Sequence, residues 1–158
     1  MKKLTFKNIG ITFLIIILAI QFVPTEKNSG NTFGPNHIST IIPITENINQ
    51  ILVTSCYDCH SNHTEYPWYN NLQPIAFWLN HHIDEGKDEL NFSEFATYTK
   101  KRQLHKLDEI VEMVETHEMP LSSYTLVHTN AKLTNEQQKL LIEWAKQSTV
   151  QLKKDNDI

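Results

Sequence analysis

The sequence predicts an all-α fold, and three observations carry that expectation. Glycine is scarce, 4 in 158 residues, which disfavours tight-turned sheets and glycine-rich phosphate loops. No stretch alternates apolar and polar residues over a convincing length. Four stretches instead repeat apolar residues at the three-and-four spacing of a helix face.

The chain opens with Lys2, Lys3 and Lys7 and then an almost unbroken apolar run from Ile9 to Val23, closed by Pro24. Counted from Leu4, the apolar stretch is about 20 residues, enough at ~1.5 Å per residue to cross a hydrocarbon core of ~30 Å. Its end lacks the small-residue pattern of a cleaved signal, so residues 1–24 are expected to stay as a transmembrane anchor. The leading lysines hold the N-terminus in the cytoplasm by the positive-inside tendency, placing the rest outside. Residues 25–44 mix Asn, Ser, Thr, Gly and Pro without a period and are expected to form a tether.

A domain over residues 45–150 follows. Its first helix is capped by Thr45 and buries Ile48, Ile51, Leu52 and Ser55, leading directly into Cys56. A second starts at Pro74, with Ile75, Trp78, Leu79 and His82 on one face and Gly86 as its end. The third covers Lys101 to Thr116, with Leu104, Leu107, Ile110, Val111 and Val114 as the stripe, and stops before Pro120. The last begins at Thr134, in a capping box with Gln137, and buries Leu140, Leu141, Trp144 and Ala145. Residues 151–158 read as a polar tail. A net charge of -4 offers no basic stripe for nucleic acid.

The chemistry concentrates in Cys56-Tyr57-Asp58-Cys59-His60. C-x-x-C-H is the attachment signature of c-type haem: two thiols at this spacing reach the two vinyl groups, and the next residue brings an imidazole to the iron. A thioredoxin-type redox pair, a structural zinc site drawing on His60 and His63, and a strained two-residue disulfide compete for the same residues. One haem c per chain is expected, with Cys56 and Cys59 as covalent anchors and His60 as the proximal ligand. Met119, followed by Pro120 in a loop, is the expected distal ligand, and His82 is the rival. His63, His81, His117 and His128 are less constrained, while His37 and His105 look solvent-facing or tethered. The aromatic residues Tyr66, Trp68, Tyr69, Phe77 and Trp78 either wall a flat cofactor or fill the core.

These blocks, together with Tyr66-Pro67-Trp68-Tyr69, His82 to Gly86, Asn91 to Glu94, Glu118 to Tyr124 and Leu133 to Trp144, resemble a bacterial family of small haem-binding domain proteins with an N-terminal membrane segment. The resemblance implies a small cytochrome c-like helical domain, a variant of class I cytochrome c. In such a domain a Met-Pro loop supplies the distal ligand and the C-terminal helix packs across the first. It also implies respiratory or peroxide-linked electron flow at the periplasmic face of the bacterial inner membrane. Unidentified redox proteins would be the partners, with no small-molecule substrate evident. A one-electron carrier is expected, against a peroxidase-like enzyme or sensor with an open sixth site. The stretch from Pro67 to Lys100 departs from a typical class I cytochrome.

Overall fold

A computed structural model describes residues 6–154, and these residues form seven α-helices joined by short 3₁₀ turns. They contain no strand; one isolated antiparallel bridge joins Ser29 and His63. The helices are α1 (Phe6–Ile20), α2 (Glu46–Ser55), α3 (Tyr57–His60), α4 (Ile75–Glu89), α5 (Lys100–Glu115), α6 (Ser122–Val127) and α7 (Asn135–Lys154).

The core forms where α5 and α2 each pack against α7, and the 3₁₀ turn Phe92–Thr97 adds Phe92 and Phe95 to the same buried cluster. Leu52, Phe92, Phe95, Leu107 and Leu141 are fully buried there, each contributing about 1.5–3 kcal/mol of burial free energy. The stripe of α5 is close to expectation, with Leu107, Ile110 and Val114 buried and Leu104 and Val111 packed at its edge. It also takes in Gln103 and Lys106, which a hydrophobic period cannot announce. The α7 capping box forms as expected: Thr134 N donates to Gln137 Oε1 at 2.9 Å and Gln137 N to Thr134 Oγ1 at 3.2 Å. Leu140, expected inside, is 48% exposed, because the buried face runs through Leu141, Trp144 and Ala145.

Two expectations need correction, and a third, the membrane span, finds no support among the described residues. Residues 25–44 are not a free tether: His37, Ile38 and Ile42 are buried, and Asn28 bonds to Ser61, Thr64 and Tyr66. The absence of a period conceals two buried isoleucines, which join a core cluster drawn from far along the chain. The polar tail is helical to Lys154 and buries Leu152, with residues 155–158 outside those described. Third, no helix among the described residues is long and apolar enough to cross a membrane. The α1 helix has 15 residues, about 22 Å; the expected span also drew on Leu4 and Thr5, which lie outside the described residues.

The end of α5 positions the site. His117 takes a left-handed φ of 60°, and Glu118 N and Met119 N both return to the Met113 carbonyl at 3.0 and 3.1 Å. This is the reversal that a glycine usually makes, and it turns Met119 back toward the core. The left-handed form costs an L residue about 1–2 kcal/mol, partly offset here by the flexibility that glycine would add to the unfolded chain. His117→Gly is therefore expected to stabilise the domain by about 0.5–1 kcal/mol, read as a rise in urea midpoint at unchanged slope.

Candidate haem site

The α2 helix ends at Ser55, and Cys56 N donates to the Leu52 carbonyl at 2.9 Å, so the half-buried Cys56 sits on the turn linking α2 to α3 and the half-buried Cys59 within α3. Both cysteines are free. Burial, with the neighbouring negative groups, pushes the Cys56 thiol up to about 12 and the Cys59 thiol up to about 11. A redox-active pair needs the opposite shift, and no cluster of three or more metal-ligating side chains occurs among the described residues. The raised thiol pKa values weigh against the thioredoxin-like reading.

His60 closes α3. Its Nδ1 lies 2.9 Å from the Leu90 carbonyl. A carbonyl only accepts, so Nδ1 carries the proton and Nε2 is left with its lone pair, the tautomer of an orienting hydrogen bond behind a metal-binding imidazole. Burial lowers the pKa of His60, outweighing the hydrogen bonds to the Leu90 and Gly86 backbone that raise it, and keeps the ring neutral. Neutral imidazole is the form that ligates iron.

Two adjoining cavities of about 480 and 280 Å³ open beside this turn. Cys56, His60, Met119 and Pro120 line both. The outer lobe adds Cys59, His82, Glu85, Gly86 and Tyr124; the inner one is walled by apolar residues such as Leu52, Phe92, Ile110 and Leu141. The outer lobe thus brings together all five sequence-predicted site residues, Cys56, Cys59, His60, His82 and Met119. His82 does not reach the inner lobe. Its ring stands edge-on to Trp78 at 4.4 Å, and its Nδ1 is 3.5 Å from Glu85 Oε2. The donor set of two thiols, a neutral imidazole and a thioether beside an apolar cavity fits a haem.

A family model described as a haem-binding domain matches residues 15–147. The chain belongs to that family. No curated protein and no solved structure matches it at a significant level.

Several residues that build this haem-binding domain escaped the sequence reading. Gly86 does not end α4 but sits within it, where a Cβ would stand 2.7 Å from the Cys59 carbonyl oxygen and 3.2 Å from its Cβ. The α4 face is accordingly rotated, burying Ala76, Leu79 and Ile83 and leaving Ile75 and Trp78 more than 40% exposed. Gly86→Ala is expected to push α4 off the haem-motif turn, at a cost of about 1–3 kcal/mol, read as a lower denaturation midpoint together with less haem incorporated per chain. Asp58 is a second such residue. It accepts from Tyr124 Oη at 2.6 Å and from Glu65 N at 3.0 Å, tying α3 to α6 beyond the Met119 loop. Tyr124 stacks on His128 at 4.3 Å, and His128 bonds to the Tyr69 hydroxyl. On the inner lobe Lys106 is buried. Desolvation would lower its pKa, but Glu109 at 2.6 Å and Glu89 at 3.0 Å hold it above the ordinary value.

The remaining histidines are distributed less economically than expected. His37 is buried against Tyr57 and Phe33 rather than solvent-facing, whereas His105 is exposed beside Glu109. His63 pairs with Glu65, and His81 with Glu85. Of the aromatic cluster, neither Trp68 nor Trp78 walls the cavities or fills the core: Trp68 is 76% exposed and Trp78 46%.

Proposed function

We propose that this haem-binding domain is a membrane-attached c-type cytochrome domain that carries single electrons. In this reading Cys56 and Cys59 hold one haem covalently, His60 is the proximal ligand and Met119 the distal one. The carrying observation is that Cys56, Cys59, His60 and Met119 line one cavity while the Leu90 carbonyl holds the Nδ1 of His60. Haem bound there supplies a reversible one-electron iron couple. The protein's part is to fix His60 through Leu90, to present Met119 from the left-handed turn at His117, and to exclude water with the apolar inner lobe.

Attachment through α1 is supported by its composition and exposure: no residue of α1 is buried, and an apolar helix left uncovered requires lipid or a partner. The lysines before it favour the periplasmic face of a bacterial inner membrane, with redox proteins as partners.

A second reading, a peroxidase-like enzyme or sensor with a displaceable sixth ligand, draws on the His82 and Glu85 pair on the outer lobe, which offers an acid-base group there. Potentiometric titration of the haem-loaded chain, combined with carbon monoxide exposure of the reduced form, separates the two. A carrier shows a single reversible one-electron transition, a six-coordinate spectrum in both states and no rapid carbon monoxide adduct. Five-coordinate iron that binds carbon monoxide at once would sink the carrier reading.

A further inference from the structure

We propose that the haem-binding domain itself rests on the lipid surface, through an uncharged face formed by the start of α4, the 3₁₀ turn Trp68–Asn71 and α6. The inference depends on the membrane attachment proposed for α1. It does not depend on how haem is held.

Three independent observations converge on this face. The first is charge. Residues 66–83 and 119–131 contain no Asp, Glu, Lys or Arg, although such residues make up 20% of the chain. The two segments are neighbours in the fold, because His128 bonds to Tyr69. The second is exposure. Trp68, Leu72, Ile75, Trp78, Leu126 and Val127 are 41–80% exposed and lie together on these two segments, whereas the domain's other well-exposed large hydrophobics, Phe33, Val53, Leu140 and Val150, lie apart from them in the chain. A soluble face of this kind normally carries charge, whereas tryptophans at the edge of an apolar patch suit the headgroup boundary of a bilayer.

The third is the path of the chain from α1. Gln21, just past that helix, donates from Nε2 to the Gln73 carbonyl at 3.0 Å and accepts at Oε1 from Gln73 N at 3.0 Å. Gln73 Nε2 in turn donates to the Val23 carbonyl at 3.1 Å. The end of the apolar helix is thus pinned to the residue between Leu72 and the start of α4. Lipid around α1 therefore meets this face first. A redox protein or a second copy could also cover an apolar face, but neither accounts for its being fastened to the apolar helix.

The test uses the full haem-loaded chain reconstituted into vesicles of phosphatidylcholine and phosphatidylethanolamine. A photoreactive p-benzoylphenylalanine replaces Leu72, Leu126 or, as control on the charged surface of α7, Gln147, and an unchanged visible spectrum confirms that each variant is folded. After irradiation, lipid adducts are counted by mass spectrometry. Positions 72 and 126 are expected to give several-fold more lipid adduct than position 147. Adducts to protein at 72 and 126, or lipid adducts no more frequent than at 147, would overturn the inference while leaving membrane attachment standing, provided that the chain floats with the vesicles. A chain that does not float overturns both.

Discussion

Replacing Cys56 and Cys59 together by Ala is expected to abolish all haem that stays with the polypeptide through denaturation and acid-acetone extraction. Each single substitution should leave one thioether and hence a retained but spectrally shifted haem. The expectation rests on the position of the thiols. Both line the outer lobe, Cys56 just before α3 and Cys59 within it, where Gly86 lets α4 approach and Asp58 bonds to α6. The cavity beside them is open enough to admit a large group, but the domain around it is small, and non-covalent packing there competes with exchange into solvent. The double variant can still bind haem reversibly through His60, since the Leu90 hydrogen bond and the apolar lobe are untouched. A parent protein that releases all its haem on extraction, after production with a haem-attachment system, would refute covalent binding while leaving membership of the haem-binding family intact.

The C-x-x-C-H segment was legible in the sequence because it is local: five consecutive residues state the thiol spacing and the adjoining imidazole. The α5 and α7 helices were legible for a similar reason, since a period of 3.6 and a capping box are short-range signals. What the sequence concealed is whatever depends on two distant segments meeting. Gly86 reads as a helix end by composition, and only the approach of the Cys59 backbone shows why the helix continues through it without a side chain. Asp58 is an unremarkable spacer in C-x-x-C-H until Tyr124 reaches it from sixty-six positions away. The segment 25–44 reads as linker because its Asn, Ser, Thr, Gly and Pro residues follow no period, yet the domain closes over Ile38 and Ile42. The aromatic run after Glu65 misled in the other direction. Its large rings suggested a wall for the cofactor, and two of them face outward on the uncharged surface instead.

Met119→Ala is expected to open the iron, and the contrast with His82→Ala decides the distal ligand. Both side chains line the outer lobe, so proximity alone does not rank them. Three features do. Met119 lines the inner lobe as well, beside His60, whereas His82 does not. Met119 is delivered by an irregular segment fixed at Met113 and His117, and its thioether needs no proton removed. His82 already has a partner in Glu85 and packs edge-on against Trp78. A thioether stabilises reduced iron and raises the potential relative to a second imidazole. Met119→Ala should therefore bind carbon monoxide rapidly when reduced, lose the weak far-red band of sulfur-ligated ferric haem, and fall in potential by an appreciable part of the ~0.8 V range that axial ligation spans. Met119→His should restore six-coordination at a potential below the parent's. His82→Ala should keep the far-red band and exclude carbon monoxide, because the imidazole is then only a wall of the outer lobe. The opposite pattern, an unchanged Met119→Ala spectrum with iron opened by His82→Ala, would establish two-histidine ligation and remove Met119 from the site.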